Sequence, residues 1–466
     1  MLPVVARTVF RIHERMLGRR TFPILRELRE SQWWDRETRD TLRLERLKQT
    51  VRSAYEKTRY WRFVMDQHGI KPSDVRSLAD VGRFPLLEKS SVCEHRDEMV
   101  WREESRRVVL ARTSGSTNDA LQYYSSSSRE AHITAARMRG HEWVGIRPGE
   151  KELYFWAAPV EVTAQTRMKN LRDVLINNTF SNAVEMHEDD VPRCFASWEK
   201  WRPRCLFGYA SSISLFARMG TRLGIDLRSL KARGLRAIVT TAEMLSEDDR
   251  RMISDAFGVP VCDSYGTRET ALIGHECQHL TMHTNDEQLI LETVNPQTGE
   301  PVDGEGELVV TTLANDVMPM IRYRTNDIVT LSDDECPCGR KLRSLRVTGG
   351  RLHEFIVTTE GKWVSSVAFL YICRNTPGIR QMQVRQDRLG EIRILVVPEE
   401  NRPNDLVPKI LKAARQRLGD EEEIKVELVD EIEPLASNKY RVVVSKVAEE
   451  LMSQPTRRTP RPLDGS

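Results

Sequence analysis

A glycine flanked by hydroxyl side chains marks the first segment of the sequence that could do chemistry. Thr113, Ser114, Ser116 and Thr117 surround Gly115. Backbone N–H groups and hydroxyls in a flexible turn can converge on the oxygens of one phosphate. The segment lacks the glycine–lysine ending of a Walker loop, so it is not that motif. The pattern indicates a phosphate-binding loop, with a polar surface turn as the alternative.

An aromatic ring and a carboxylate lie at the end of, and just beyond, a predicted strand at 259–266. Ligands of open α/β sheets bind beyond the carboxyl ends of the strands. There, Tyr265 could stack on a base and Glu269 could hold Mg²⁺ beside phosphates. A strand-end turn with a solvated Glu269 is the alternative.

Two further residues suit a nucleotide and its reaction. The segment 318–327 alternates apolar and basic residues like a strand that ends at Asp327, and a carboxylate can accept both hydroxyl protons of a vicinal diol. Lys439 lies near the C-terminus, where a lysine on a mobile module could reach a reacting carboxylate and stabilise negative charge. Taken alone, Asp327 is also typical of a turn and Lys439 of a solvated surface.

The cysteines suggest a metal rather than disulfides. Eight cysteines in 466 residues are too sparse for a disulfide scaffold, and with no signal peptide the pattern predicts a cytoplasmic, reducing environment. Cys277, His283, Cys336 and Cys338 together offer three thiolates and one imidazole, which would complete a tetrahedral structural zinc site. Four unligated side chains are the alternative.

One short motif favours a different metal chemistry. His275-Glu276-x-x-His279 matches the H-E-x-x-H pattern of zinc proteases, which requires a helix to aim both histidines at one metal. Gly274 and Thr281 weaken a helix here, and a strand-like run follows at 289–294. A metalloprotease therefore stays a minor alternative.

The elements that must position these residues alternate between strand and helix. Short apolar runs at 152–158, 205–209, 235–241 and 259–266 are separated by helical patterns, and Ser211 and Ser246 are the expected N-caps of two helices. This alternation predicts an α/β fold with doubly wound, mainly parallel sheets.

The chain divides into unequal parts. We predict a large N-terminal domain over 1–350, with a helical lead-in over about 1–110, and a small mobile α+β domain over 351–452 that begins at the Gly349-Gly350 pair. Residues 453–466 hold Leu463 as their only large aliphatic side chain and are predicted to be disordered.

Composition excludes some partners. The chain has 71 Lys and Arg against 68 Asp and Glu, a formal net charge of +3, which excludes a basic domain built to bind nucleic acid. No apolar run is long enough for a transmembrane helix. The basic segment 1–20 is expected to form an amphipathic helix that could make peripheral membrane contact.

In their order along the chain, the phosphate loop, strand-end motif, diol segment and lysine segment resemble the adenylate-forming ligase superfamily. The branch they resemble is the phenylacetate–CoA ligase one, including capsular-polysaccharide-associated relatives. TSGST matches its phosphate loop, YG-x-x-E its strand-end motif, IRYRTxD its ribose motif, GGR its hinge and SNKYR its lysine motif. The resemblance spans about residues 25 to 450.

The resemblance implies a reaction: ATP-dependent activation of a carboxylic acid to an acyl-adenylate with release of pyrophosphate, followed by transfer to CoA. It implies catalytic roles for Thr113, for Glu269 as the Mg²⁺ ligand and for Lys439 at the α-phosphorus. The implied ATP and AMP site consists of Thr113, Ser114, Gly115, Ser116, Thr117, Ala242, Glu243, Asp263, Tyr265, Gly266, Asp327 and Arg351.

The acyl pocket and the metal follow from the same resemblance. Tyr209 and Ala210 would line the pocket for the acid. Some relatives carry zinc at positions matching the three cysteines and His283, and homodimers are common in the branch.

The sequence also departs from the branch. Asn118-Asp119-Ala120 stands where relatives usually have glycine and then proline or lysine, Arg268 replaces a small hydroxyl residue, and Asn438 replaces a glycine. These changes leave the acyl acceptor open: an amine or a carrier protein is the alternative to CoA, and a degenerate nucleotide-binding relative is a further alternative.

Overall fold

The computed structural model describes residues 1–101, 108–112, 121–156, 172–183, 185–296, 298–349, 355–432 and 441–453. Several of the expected site residues lie outside these ranges: Thr113, Ser114, Gly115, Ser116, Thr117, Arg351 and Lys439. All but the first residue of the tail 453–466 also lies outside them. Predictions about these positions stay predictions.

The lead-in is helical, as expected. Its helices are α1 (Pro3–Met16), α2 (Thr21–Ser31), α3 (Arg36–Lys57), α4 (Arg59–Gln67) and α5 (Lys89–His95), with short 3₁₀ turns at Pro72–Asp74 and Leu78–Arg83.

The side chain of Asp35 caps α3 by accepting a hydrogen bond from the backbone N–H of Thr38 at 2.8 Å. Leu47, Val51 and Ala54 recur at helical spacing on α3 and are fully buried. They pack in a cluster that includes Met320 and Ile321, so this stripe fixes the lead-in against the chain around the predicted diol segment.

A short hairpin brackets the predicted phosphate loop. Strands β1 (Val109–Arg112) and β2 (Gln122–Ser125) pair antiparallel, with Arg112 opposite Gln122. The two residues that flank 113–121 are therefore held side by side.

The main sheet of the described residues has eleven strands in the order β11-β12-β13-β14-β10-β9-β8-β7-β6-β3-β4. The strands are β3 (Glu152–Trp156), β4 (Asn178–Asn182), β6 (Cys205–Tyr209), β7 (Ala237–Thr241), β8 (Val261–Thr267), β9 (Ala271–Glu276), β10 (Met282–Thr284), β11 (Leu289–Val294), β12 (Glu305–Thr312), β13 (Tyr323–Ser332) and β14 (Ser344–Gly349).

The predicted parallel arrangement is confirmed for one half of this sheet. Strands β4, β3, β6, β7 and β8 pair parallel to one another, whereas β8 and β9 pair antiparallel, as do the strands beyond. The sheet as a whole is mixed.

The helices packed among these strands are α6 (Ser127–Trp143), α7 (Asp190–Trp201), α8 (Ala210–Arg222), α9 (Ser229–Ala232) and α10 (Glu247–Phe257).

Ser246 caps α10 as expected, accepting from the N–H of Asp249 at 3.0 Å. The expected cap at Ser211 is wrong, because α8 already begins at Ala210. The N–H of Ser211 instead donates to Oε2 of Glu243 at 2.8 Å, so a carboxylate from the next strand end satisfies it.

The predicted small C-terminal α+β module is confirmed. A four-stranded sheet runs in the order β19-β18-β17-β20. The module contains β15 (Phe355–Val357), β16 (Trp363–Ser365), α11 (Ser366–Asn375), β17 (Ile379–Arg388), β18 (Glu391–Pro398), α12 (Leu406–Leu418), β19 (Glu423–Leu428), β20 (Val443–Ser445) and α13 (Lys446–Ser453).

The module is joined to the N-terminal part through a small sheet. Strand β16 pairs with β15 and also with β5 (Glu185–Met186). One hydrophobic cluster runs from Phe155 and Phe216 to Phe369 and Val443. A boundary at 350 and the mobility of the module stay predictions.

Candidate active site

The carboxyl ends of three neighbouring parallel strands open onto one cavity. Strands β6, β7 and β8 end at Tyr209, Thr241 and Thr267, and the described residues enclose a volume of ≈ 1150 Å³ beside them. This is the place where open α/β sheets bind ligands. The expected site residues that line it are Tyr209, Ala242, Glu243, Asp263, Tyr265, Gly266, Glu269 and Asp327.

Tyr265 and Asp327 meet on the cavity wall, although 62 residues separate them. The Tyr265 hydroxyl donates to Oδ2 of Asp327 at 2.7 Å. Burial and the adjacent carboxylate raise the pKa of Tyr265 well above its ordinary value, so the phenol keeps its proton. Asp327 lies inside β13 rather than at its end, which corrects the expected strand boundary.

A backbone irregularity explains the position of Asp327. Asn326 has φ of 59°, and the register of β12 and β13 shifts between Glu307 and Val309. Such a bulge redirects a side chain without ending the strand. A sequence pattern of alternation does not reveal this bulge.

Glu269 follows β8 and lies two residues beyond Thr267. The hydroxyl of Tyr323 donates to Oε1 of Glu269 at 3.2 Å. Tyr323 is the first residue of β13, so the strand that carries Asp327 also positions Glu269. Both carboxylates therefore border the same cavity.

The turn after β7 holds an unusual backbone. Ala242 has φ of 67°, a conformation that side chains other than glycine rarely adopt. Glu243 beside it is 9% exposed, and its carboxylate accepts from the N–H of Ser211 at the start of α8. Strain of this kind is held where surrounding contacts determine the backbone, often at ligand sites.

Asp263 carries a half-buried carboxyl on β8. The hydroxyl of Thr240 donates to Oδ1 at 2.7 Å, and the N–H of Asp263 donates to Glu276 at 2.7 Å. Burial raises the pKa of Asp263 to about 7, and the Glu276 carboxylate adds to the rise. Asp263 can therefore change its charge near neutral pH.

Aromatic rings line another part of the cavity. Trp156 stacks on Tyr209 with centroids 4.3 Å apart and lies parallel to Phe207 at 5.8 Å. Ala210 was expected to line the pocket for the acid. It is instead 2% exposed and begins α8 within the hydrophobic core. An apolar, aromatic wall suits the body of an organic acid.

Sequence reasoning missed residues that line the same cavity. Trp156 ends β3, and Phe207 precedes Tyr209 by two residues on β6, a spacing that places both on one face. Arg129, Ile133 and Arg137 on α6 recur every fourth residue and all line the cavity. The spacing of two residues on the strand and of four residues on the helix could have indicated these residues, once the strand and the helix had been assigned.

The ends of two undescribed segments come to this cavity. Arg268 donates from Nη1 to the carbonyl of Arg112 at 3.1 Å, directly before the predicted phosphate loop. Arg441 and Val442 line the cavity, two and three residues after Lys439.

The four expected metal ligands are gathered into one cluster. The ligand atoms of Cys277, His283, Cys336 and Cys338 all lie within 4.8 Å of one another. The sulfurs of Cys277 and Cys336 are 3.7 Å apart, close to the edge of about 3.8 Å that a tetrahedron with Zn–S bonds of about 2.3 Å requires.

The imidazole of His283 is oriented for a metal. Its Nε2 lies 3.1 Å from Sγ of Cys338, and its Nδ1 lies 3.4 Å from the carbonyl of Leu342. Burial lowers the pKa of His283 to about 4, so the ring is neutral near pH 7, the form that binds metals. The donor set and its outer hydrogen bond fit zinc.

The metalloprotease alternative is wrong. His275 and Glu276 lie on β9, a strand, where successive side chains point to opposite faces. His275 packs beneath Gly140 of α6, and Glu276 accepts two hydrogen bonds from Arg250 at 2.7 and 2.8 Å. A strand cannot aim both histidines at one metal.

None of the described helices is both long and apolar enough to cross a membrane.

Comparison with known proteins gives a consistent assignment. The family model for the CapK C-terminal domain matches residues 356–446. A phenylacetate-coenzyme A ligase from Aromatoleum evansii is 24% identical over 385 residues, covering 78% of this chain and 81% of that protein. Protein CapK from Staphylococcus aureus is 21% identical over 377 residues, covering 80% of this chain and 81% of that protein.

The fold has a solved counterpart. A crystal structure of 2-hydroxyisobutyryl-CoA ligase, in complex with 2-HIB-AMP and CoA, matches with a TM-score of 0.61 at 19% identity, covering 91% of this chain and 96% of that one. The fold is that of adenylate-forming ligases. The relatives in sequence include a phenylacetate-coenzyme A ligase and protein CapK, to which this chain is similar at 24 and 21% identity.

Proposed function

We propose that this protein is an AMP-forming acid–CoA ligase. It activates a carboxylic acid with ATP to an acyl-adenylate and then transfers the acyl group to CoA. The observation that carries this proposal is the convergence of the strand-end motif, the Asp327 segment and the residues after Lys439 on one cavity.

The first half-reaction forms one bond and breaks another. A carboxylate oxygen of the acid attacks the α-phosphorus of ATP, and the bond from that phosphorus to the bridging oxygen breaks, so pyrophosphate leaves. Residues 113–117 would bind the phosphates, and Lys439 would stabilise the negative charge that develops at the α-phosphorus. The hairpin of β1 and β2 holds the ends of that loop together.

Other described residues would bind the nucleotide. Asp327, oriented by Tyr265, would accept the ribose hydroxyl protons. Ala242, Glu243 and Tyr265 would lie around the adenine. Arg351, which lies outside the described residues, would by the family resemblance lie near the ribose.

Glu269 would contribute a carboxylate oxygen to bound Mg²⁺. When bound, the ion would neutralise part of the negative charge of the phosphates. Mg²⁺ is usually bound by one or two carboxylates together with phosphate oxygens. The hydrogen bond from Tyr323 fixes the carboxylate of Glu269 for this role.

In the second half-reaction the thiol sulfur of CoA attacks the acyl carbon and the thiol proton is released to solvent. The bond from the acyl carbon to the phosphate oxygen breaks, and AMP leaves with that electron pair. Rotation of the C-terminal module would move the Lys439 segment away from the acyl-adenylate and would allow the thiol to approach it. An amine or a carrier-protein thiol could take the place of CoA, since the same carbon reacts with each. Trp156, Phe207 and Tyr209 would hold the acid during both steps.

The cluster of Cys277, His283, Cys336 and Cys338 would hold a structural zinc. All four positions of a tetrahedral ion would be occupied by protein, which leaves no position for a substrate. The ion would join the turn after β9 to the segment before β14. A homodimer stays a prediction.

The test is pyrophosphate exchange into ATP with a panel of carboxylic acids. An active ligase shows exchange that depends on the acid and is lost in Lys439→Ala, and mass spectrometry detects the acyl-adenylate. A later addition of CoA, an amine or a carrier protein identifies the acceptor by the product formed. A protein that binds ATP yet shows no exchange with any acid would support the degenerate nucleotide-binding alternative.

A further inference from the structure

Helix α1 exposes a stripe of apolar side chains. Leu2, Val5, Ile12 and Met16 are 73, 46, 53 and 71% exposed. Their spacing of three, seven and four residues places them on one side of a helix, together with the half-buried Val9. Isolated apolar side chains are normal on a surface, but a row of them along one helix marks an interaction site.

A second side of α1, about 120° around the helix from the stripe, is held against the protein. Ala6 and Glu14 are buried, and the ring of Phe10 meets that of Phe22 edge-on at 6.0 Å. The backbone of Gly149 lies so close that an added Cβ would be 2.3 Å from the carbonyl oxygen of Pro3. The apolar stripe therefore has a fixed outward orientation.

The remaining exposed side of α1 carries positive charge, and its centre lies about 140° around the helix from the centre of the stripe. Arg7, Arg11 and Arg15 are exposed and recur every fourth residue, forming a row along the helix. Residues 1–20 hold five arginines and one acidic residue, a formal net charge of +4, while the whole chain carries +3. The one acidic residue, Glu14, is buried on the inner side, where it accepts a hydrogen bond from Thr21.

We propose that α1 docks the protein onto an anionic lipid surface. The apolar stripe would enter the boundary between head groups and acyl chains, and the arginine row would contact lipid phosphates. With 14 residues, α1 is about 21 Å long, too short to cross a hydrocarbon core of about 30 Å, so it would lie in the plane of the surface. A second copy of α1 offers no exposed carboxylate to the arginine row, so charge favours lipid over self-association.

The experiment is co-sedimentation of the full-length protein with vesicles. Vesicles of phosphatidylcholine mixed with phosphatidylglycerol should bind the protein, and vesicles of phosphatidylcholine alone should bind it at least about tenfold more weakly. Ile12→Glu with Met16→Glu should abolish binding. Leu223→Glu, which changes a 43% exposed leucine after α8, is the matched control and should bind like the native protein.

Three results would overturn the proposal: equal binding to both kinds of vesicle, unchanged binding by the Ile12 and Met16 variant, or no vesicle binding together with a dimer that Ile12→Glu dissociates. All three substituted side chains are exposed, so the variants should fold like the native protein. Equal melting temperatures would establish this.

A different observation carries a second inference, at the phosphate end of the candidate active site. Asp119 places a negative charge in the predicted phosphate loop, and no lysine follows it there. Arg268 donates to the carbonyl of Arg112, the residue before that loop, and its own carbonyl accepts from the guanidinium of Arg129. Arg268 is thus fixed at the entrance of the loop.

The guanidinium of Arg268 faces the cavity. Its side chain is exposed and lines the cavity beside Glu269, and no ion pair to a carboxylate of the described residues is found. Burial raises the pKa of both Tyr123 and Tyr209, and the Arg268 charge opposes that rise in each, so the charge lies within reach of both rings.

We infer that Arg268 binds the β- and γ-phosphates of ATP and the departing pyrophosphate. A guanidinium recognises phosphate oxygens through two parallel hydrogen bonds. This inference rests on the proposed function for the identity of the ligand.

The experiment compares ATP with AMP. In Arg268→Thr the apparent Kd for ATP should rise at least about tenfold, while that for AMP, which lacks both outer phosphates, should change less than about twofold. Arg268→Lys should recover part of the loss. An unchanged Kd for ATP, or equal losses for ATP and AMP, would overturn the inference.

The binding measurement separates this inference from the proposed function. Absence of pyrophosphate exchange in the native protein would contradict the ligase proposal, while the ATP and AMP affinities would still test Arg268.

Discussion

The hydroxyl of Tyr265 donates a hydrogen bond of 2.7 Å to Oδ2 of Asp327, and this contact links the end of the parallel half of the sheet to its antiparallel half. Tyr265 lies on β8, the last strand with a parallel neighbour, and Asp327 lies on β13. The pair orients a carboxylate at the point where the sheet changes direction, which is where the cavity opens.

This relationship makes a prediction about ATP. Asp327→Ala should raise the apparent KM for ATP by about tenfold or more, because a charge-assisted hydrogen bond of about 1.5–3 kcal/mol to each ribose hydroxyl is lost. Tyr265→Phe keeps the carboxylate and removes only its orienting bond, so it should raise KM less. Steady-state kinetics of pyrophosphate exchange measures both, and an unchanged KM in Asp327→Ala would remove the ribose assignment.

Zinc removal should affect folding more than chemistry. Cys336→Ser removes one of four clustered ligands and should lower the free energy of unfolding by about 4 kcal/mol or more, with loss of one zinc per chain by elemental mass spectrometry. Cys93→Ser changes an exposed cysteine and serves as the control. A metal-free Cys336→Ser protein with native stability would contradict the structural role.

The pKa of Asp263 predicts a pH dependence of stability. Burial raises this pKa to about 7, against about 3.9 in an unfolded chain, so between these values the folded state binds the additional proton. The free energy of unfolding should therefore fall as pH rises through this window, by at most about 1.4 kcal/mol per unit.

Asp263→Asn removes this ionisation. Chemical denaturation at pH 5 and pH 8 should show that the native protein loses stability relative to the variant as pH rises. Parallel behaviour of the two proteins would show that Asp263 is not the responsible group.

A buried ion pair joins α6 to the segment between β10 and β11. Arg139 and Glu287 are both fully buried, with Nη1 and Oε1 2.6 Å apart, and Arg139 also donates to Oδ1 of Asn285 at 2.6 Å. Arg139→Met should cost about 3–5 kcal/mol, because it leaves Glu287 buried without its partner.

The matched double variant separates pairing from packing. Arg139→Met with Glu287→Gln removes both charges and should recover part of the loss, as measured by urea denaturation. No recovery would mean that the side-chain volume of Arg139, rather than its charge, stabilises this site.

Local sequence patterns predicted the regular elements well. Ser246 gave the correct N-cap of α10, since this signal depends on backbone groups within a few residues.

Predictions failed where a distant partner decides the local structure. Ser211 does not cap its helix because Glu243, from the next strand end, binds its N–H. Asp327 lies within its strand because a bulge allows β13 to continue. The first two residues of the H-E-x-x-H pattern lie on a strand, because His275 pairs with Ser264 and with His283 in the sheet, and His279 lies in the turn that follows.

The pairing of β16 with β5 has a consequence for how the chain could be divided. Phe355, Ile356, Trp363 and Val364 are buried against residues that precede them by more than a hundred positions. A truncation at residue 350 would expose the apolar side chains that pack against β15 and β16, and it would leave the edge of β5 unpaired. An exposed apolar strand edge favours pairing with a strand of another molecule. The large part of the chain should then aggregate when it is expressed alone, so complementation between separately expressed parts would need a cut placed after β16.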